Sequence, residues 1–442
     1  MDRTSSIATP VTDIDGNAAD RYAPVARGDK HIWGIYIFLC LISVIELYSA
    51  SSREVAGAGL GVYGTIVRHG AMLLAGFGLI YFLQRTHYKK FLSWGLWFAI
   101  ASIIMMIYTI FNGEYINGAR RSFRLLFVSI QPSEFLKLSS AVVLAFIMSR
   151  TQIKGGGLSN IGIACAAGVV LLFGAMLAPQ GLTNTILLMC ISLSMMIIGG
   201  ISWKKFGIVL VVYGACFGAY LLVTHLRESS REQTEMVDDE GEETVRKSRL
   251  GVWVDRLSSY VGTGRPKYEE PLTSSNRQEM LGYMAQANGG VIGVLPGNSR
   301  ETARLPLAFS DYIYAIIVED WGFAGGFCLL FLYLCLLGRA GAIASRCSRA
   351  FPALLVMGMA VMIVLQALFH MAIVTGVFPV SGQPLPLISK GGSSIIVTSI
   401  AFGIMLSVSR FAAQTNRNRD VRAEIAELPA ELTAENILAR HQ

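Results

Sequence analysis

Three arginines fall within five residues in "NGARRSFR", Asn117 to Arg124, between stretches apolar enough to live in lipid. A guanidinium is planar, donates paired hydrogen bonds and keeps its charge, so Arg120, Arg121 and Arg124 suit a phosphate. The same residues would also serve to anchor the chain to anionic lipid headgroups. With Phe123, Leu125, Leu126 and Phe127 interleaved, their i, i+1, i+4 spacing reads as an interfacial amphipathic segment. Immediately downstream, "QPSEFLK" opens a helix, with Pro132 suited to its start and Ser133 to a cap. Glu134 and Lys137, three residues apart, then share one helix face. Such a pair is costly inside a membrane unless the two charges meet or face a wet cavity, so it marks either a structural ion pair or a functional site.

Carboxylates supply the other candidates. "KYEEPLTSSNRQ" offers Glu269 and Glu270 just before Pro271, a pairing that in isolation reads more readily as surface charge than as a catalyst. In "FSDYIYAIIVEDWG", Asp311 stands at the mouth of an apolar stretch, with Glu319 eight residues deeper and Asp320 beside it. Eight helical residues span about 12 Å, and acids at that depth must be paired or hydrated, which predicts a polar cavity open to the outside. "PVSGQPLPLISKGGSS" is a Pro/Gly-rich turn carrying Lys390, and His370 reads as a hydrogen-bonded packing residue. The pattern contains no P-loop, dinucleotide fingerprint or His/Cys metal constellation.

The elements that must position these groups follow from composition. A chain of 442 residues that is 53% hydrophobic and only 15% charged is too apolar for a soluble domain. It reads as an all-α polytopic membrane protein. A spanning helix needs about 20 mostly apolar residues, and such windows recur roughly ten times between Trp33 and Val408. One set of short loops collects Arg85, Lys89 and Lys90; Arg150 and Lys154; Lys204 and Lys205; and Arg339, Arg346 and Arg349. Positive loops stay in the cytoplasm, so with an even number of spans both termini lie inside and the segment with Arg120 lies outside. The net charge of +7 is spread over these loops as a topology signal, which argues against a nucleic-acid partner. The organisation expected is a disordered cytoplasmic tail over 1–30, a transmembrane domain over 31–412 and a cytoplasmic tail over 413–442. One long extracytoplasmic loop, 225–309, joins helices 7 and 8; it carries the acidic run "MVDDEGEE" and an apolar-periodic segment, Leu250 to Tyr260, suited to lie on the membrane. The seven cysteines fall in spans or a cytoplasmic loop, and no structural disulfide is expected.

In this order the blocks "NGARRSF" with "QPSEFLKL", "GGVIGVLPGNS", "LPLAFSDYIYAIIVEDWGFAGG" and "PVSGQPLPLISKGGSS" resemble the SEDS family of bacterial membrane proteins, the FtsW, RodA and SpoVE group. The resemblance implies an inverting peptidoglycan glycosyltransferase that polymerises lipid II at the outer face of the cytoplasmic membrane. It implies that Arg120 and Arg121 hold the lipid pyrophosphate and that Glu134 and Lys137 line the same cavity. It extends substrate contacts to Asn298, Ser299, Asp311, Lys390 and Ser393. The family's general base is an aspartate of the long outer loop; here Glu270 stands in its place, with Glu269 and Asp255 left open. Two further departures are Leu307 and Phe309, where the family often has Glu and His, and Lys390 in place of a frequent tyrosine.

"PGNS", Pro296 to Ser299, and the long N-terminal segment resemble the division branch, FtsW, more than the elongation branch, RodA. The partners implied are a class B penicillin-binding protein transpeptidase and other division proteins, at the division septum. A divalent cation, Mg2+ or Mn2+, is compatible with a pyrophosphate substrate, and no organic cofactor is expected. Two other classes compete: a lipid II flippase, against which the bunching of charge at the outer face speaks, and a non-enzymatic division scaffold.

Overall fold

In lipid every backbone N–H and C=O must find a partner inside the chain, and the apolar stretches meet that demand as helices. The computed structural model describes residues 28–51, 61–116, 119–125, 128–153, 157–235, 272–273, 276–305 and 308–426. Its helices are α1 (Lys30–Ser51), α2 (Gly61–Leu83), α3 (Tyr88–Asn112), α4 (Pro132–Arg150), α5 (Asn160–Leu177) and α6 (Leu182–Ile198). They continue as α7 (Trp203–Glu235), α8 (Arg277–Gly289), α9 (Ile313–Ala344), α10 (Ala350–Val374) and α11 (Gly392–Ala426). Among the described residues nine helices are long and apolar enough to cross a membrane, and α6 is a shorter apolar helix beside them. The polytopic α-helical fold expected from composition is therefore the fold observed.

The centre of the bundle is not its most apolar part. The spanning windows of α4, α10 and α11 are each 72% buried, against 11% for that of α7, although α4 has the lowest mean hydropathy of the nine, 1.3. Ser133, Glu134, Lys137, Ser139 and Ser140 lower that value, and all five are buried. Lipid tails solvate Leu as well as a protein core does, so small and polar residues, which need protein partners, are drawn inward while apolar side chains can face out. Helix α4 packs on α3, α5, α6 and α10, and α11 packs on α2 and α10. Pro132 opens α4, and the Ser159 hydroxyl caps α5 by accepting from the Gly162 N–H at 3.0 Å.

Two small antiparallel sheets depart from the all-helical expectation. Strands β1 (Glu114–Ile116), β2 (Ala119–Leu125) and β3 (Val128–Ile130) form a meander between α3 and α4, and β4 (Gln152–Ile153) pairs with β5 (Gly157–Leu158) between α4 and α5. The long outer connection also differs from expectation, since α7 runs on to Glu235 and α8 occupies part of the interval. The terminal segment 1–27, the acidic run, the segment Leu250 to Tyr260, and Asp255, Glu269 and Glu270 lie outside the described residues. At the other end α11 continues to Ala426, past the end of its apolar window at Ala412.

Helix α9 is broken at Gly322, where φ is 71°. The break frees backbone groups that the segment after α8 takes up. Val294 and Leu295 donate to the carbonyls of Glu319 and Asp320 at 3.0 and 2.8 Å, and Phe323 donates to Gly290 at 2.9 Å. The two backbones meet so closely that a Cβ on Gly289 would sit 1.9 Å from the Val318 carbonyl oxygen, and one on Gly322 would sit 2.2 Å from that of Val291. This glycine-only crossing fixes "PGNS" against α9.

Candidate functional site

The segment read as interfacial and amphipathic is a strand. Phe123, Arg124 and Leu125 pair with Ile130, Ser129 and Val128, while Arg120 pairs with Tyr115 of β1. Strand geometry alternates side chains between faces, so Arg121 and Arg124 fall on opposite sides, and helical spacing does not apply. Arg124 is exposed and Arg121 half-buried. Arg121 lies near enough to Asp311 for its charge to act on that carboxylate.

Asp311 precedes α9 and packs against the turn after α10, where a Cβ on Gly382 would lie 2.9 Å from its Oδ2. Burial pushes the Asp311 carboxyl above the usual carboxylate range, while a hydrogen bond with Ser310 and the Arg121 charge offset part of that rise. A largely desolvated acid thus stands at the mouth of α9, within the field of an arginine.

Glu134 and Lys137 do find each other. The Lys137 Nζ donates to Glu134 Oε1 at 2.7 Å, and both side chains are almost wholly buried. Gln366 of α10 closes the group, accepting from Lys137 Nζ at 3.2 Å and donating to Glu134 Oε2 at 3.2 Å. The Gln366 amide also reaches the Pro384 carbonyl at 3.3 Å. The ion pair is therefore tied to the turn 380–391 rather than open to a cavity.

That turn is held from several sides. His370 Nδ1 meets the Gln383 carbonyl at 2.6 Å, Tyr333 donates to the Pro386 carbonyl at 2.6 Å, and the Gln383 amide donates to Asn184 Oδ1 at 3.1 Å. Lys390 donates its backbone N–H to the Phe309 carbonyl at 2.9 Å and sets its ammonium 4.2 Å from the Phe309 ring centroid. The Ser393 hydroxyl accepts from the Gln131 N–H at 3.3 Å, joining the start of α11 to the start of α4. The turn consequently connects the buried ion pair on one side with Asp311 on the other.

The deep acids of α9 are not in an open cavity. Glu319 and Asp320 are both fully buried. Ser299 donates to Glu319 Oε2 at 2.5 Å, the Arg300 N–H to Oε1 at 3.0 Å, and Ser49 of α1 donates to Asp320 Oδ2 at 2.5 Å. The Trp321 indole donates to Glu46 Oε1 at 2.6 Å. Ser299 is thus a support for Glu319, and the Asn298 amide donates to the Val294 carbonyl at 3.0 Å within its own turn. Gln366, Ser49 and Glu46 are participants outside the sequence motifs; Glu46, an acid near the end of an apolar span, is the one that carries a visible signal.

Among the described residues no three His, Cys, Asp or Glu side chains converge on one point.

Residues 29–414 match the family model FTSW_RODA_SPOVE, described as "Cell cycle protein". The chain is similar to the "Peptidoglycan glycosyltransferase MrdB" of Escherichia coli (strain K12), with 26% identity over 379 residues, 85% of this chain and 91% of that protein. It is 28% identical over 389 residues to "Stage V sporulation protein E" of Bacillus subtilis (strain 168), covering 86% of this chain and 96% of that one. Other similar proteins carry the name FtsW. In fold it resembles a chain of the solved structure described as "Structural coordination of polymerization and crosslinking by a peptidoglycan synthase complex", at a TM-score of 0.60 and 22% identity, covering 88% of this chain and 99% of that one.

Proposed function

We propose, from the premise that this chain belongs to the FtsW, RodA and SpoVE family of cell cycle proteins, that it polymerises lipid II in septal wall synthesis. It is a multi-pass membrane protein and a peptidoglycan glycosyltransferase, the activity named for its relatives. The observation that carries the finer reading is the packing of Asp311 against the turn 380–391 at Gly382, within the field of Arg121. It supports an anion site at the outer end of the bundle, where the lipid pyrophosphate of a donor in the outer leaflet would lie.

The chemistry is a single displacement. The acceptor's sugar 4-hydroxyl attacks C1 of the donor, the bond from C1 to the pyrophosphate oxygen breaks with inversion, and undecaprenyl pyrophosphate leaves. Arg121 binds that pyrophosphate and takes up the charge that develops as it departs, while Arg120, on the other face of the strand, adds its positive charge to the outer end. Glu270 receives the hydroxyl proton as general base. The buried Glu134, Lys137 and Gln366 group positions the turn 380–391 through Pro384 and does not itself touch substrate.

"PGNS" supports the division branch, with a class B penicillin-binding protein and other division proteins as partners. The neighbouring structure, described as a synthase complex joining polymerisation and crosslinking, supports a transpeptidase partner. The likeness to MrdB favours a second reading, an elongation polymerase. A fluorescent fusion followed through the division cycle separates them: recruitment to midcell supports the first, distribution along the side wall the second.

The test of mechanism is glycan formation from lipid II by the purified protein with its transpeptidase. Glu270→Gln should lower turnover by roughly 10²–10⁴-fold while Glu269→Gln does not. Arg121→Ala should lower it by roughly 10²–10³-fold. Polymerisation by both glutamate variants would move the base elsewhere, to Asp255 or Asp311.

A further inference from the structure

The basic end of the bundle carries a groove of about 1080 Å3 between the start of α1, the end of α2 and α11. Its floor is apolar and aromatic, built from Trp33, Ile37, Phe77 and Tyr81, with the Trp33 and Phe77 rings 5.2 Å apart. Ile37, Phe77 and Tyr81 are 45%, 46% and 48% exposed, so the floor runs out onto the lipid-facing surface. The rim bears Lys30, Arg85 and Arg410, and no carboxylate stands among its described lining residues.

The acid next in sequence is already committed elsewhere. Asp29 receives Arg339 Nε at 2.9 Å and Nη2 at 2.5 Å. Burial alone would raise its carboxyl, yet the Arg339 contacts and the Ile32 and His31 N–H groups hold it below the usual carboxylate value. The rim therefore keeps its three positive charges. Arg85 lies with its guanidinium carbon 4.0 Å from the Tyr81 ring centroid and donates to the Tyr81 hydroxyl, which leaves most of its five donors for a ligand. The Nε of Arg410 is shielded from water and has no acceptor among the described residues.

We infer that this groove binds an anionic glycerophospholipid of the leaflet at the basic end, with its phosphate against Arg85, Arg410 and Lys30 and an acyl chain along Ile37 and Phe77. Three cations above an apolar trough match a lipid in both charge and shape, whereas a free anion would leave the trough unused. Positive-inside topology places this leaflet on the cytoplasmic side, away from the outer face proposed for the chemistry. The site is thus independent of the polymerase assignment and of its substrate.

The test is native mass spectrometry of the detergent-purified full chain titrated with phosphatidylglycerol or phosphatidylcholine. Phosphatidylglycerol should be retained and phosphatidylcholine should not. Each lost cation should weaken retention about fivefold, so Arg85→Gln/Arg410→Gln should weaken it about 25-fold. Arg410→Lys should restore most of the binding. Lys89→Gln/Lys90→Gln, which removes two cations outside the groove lining, should leave it unchanged. The exposed single variant Arg85→Gln reports on the site even if changing the half-buried Arg410 harms folding. Equal retention of both lipids, or undiminished retention by the double variant, overturns the inference. So does displacement of the lipid by equimolar inorganic phosphate, or preferential capture of a polyprenyl phosphate.

Discussion

Lys137→Met should be among the most damaging single changes in the spanning region, and the structure sets the size of the effect. At 2.7 Å and an effective dielectric near 20, the attraction between Lys137 and Glu134 is about 6 kcal/mol, much of which offsets the cost of taking both charges out of water. Removing the ammonium leaves Glu134 almost wholly buried, with only the neutral Gln366 amide, at 3.2 Å, still donating to it. Breaking a buried pair in this way costs about 3–5 kcal/mol, whereas replacing both partners by neutral groups of similar volume costs far less. The double variant Glu134→Gln/Lys137→Met should therefore recover most of the stability lost by Lys137→Met alone. Equilibrium unfolding in mixed micelles, run as a double-mutant cycle, measures both quantities. If the double variant loses the sum of the two single losses, the pair is not coupled as argued. A Lys137→Met variant within about 0.5 kcal/mol of the parent would rule out a coupled buried pair, since leaving one charge buried and unpaired costs several times more.

Three further outcomes follow from the same contacts. Ser299→Ala removes the 2.5 Å donor from Glu319 and should cost about 1–3 kcal/mol in the same unfolding assay, with Ser299→Thr retaining more stability than Ser299→Ala. Gly322→Ala adds a Cβ 2.2 Å from the Val291 carbonyl oxygen at a φ of 71°; it should cost more than the roughly 1–3 kcal/mol of backbone strain alone and show as lost folded yield. Gly78→Ala, with nothing within 4 Å, should leave that yield intact. Asp311 has its carboxyl raised by burial, so its contribution to stability is full below the ordinary carboxylate value and is lost as pH rises through the higher folded value. Stability measured from acid to neutral pH should accordingly improve for Asp311→Asn relative to the parent as pH rises, and a difference that stays constant with pH would contradict this.

Much of the architecture is written in local sequence. The spans are legible because a membrane permits few ways to satisfy a backbone, and "QPSEFLK" announces both a helix start and an ion pair through spacing alone. Features that local sequence does not carry depend on distant partners. Gln366 lies 229 residues from Lys137, and nothing in "IVLQALF" says what its amide will meet. The strand through Arg120 and Arg124 exists because β1 and β3 flank it, while its own composition shows only an interfacial amphipathic segment. Glu319 and Asp320 suggest a wet cavity when read alone, because the serine hydroxyls that satisfy them come from α1 and from "PGNS". The break at Gly322 that brings those partners in is a backbone event, signalled only by glycines spaced along two separate blocks.

Whether this chain polymerises lipid II or carries it across the membrane is decided in proteoliposomes holding the purified protein, its transpeptidase partner and labelled lipid II. The parent chain should form glycan strands and Glu270→Gln should not, with no acceleration of lipid II transfer between leaflets. Rapid transfer of lipid II with no glycan formed, unchanged by Glu270→Gln, would make the protein a transporter.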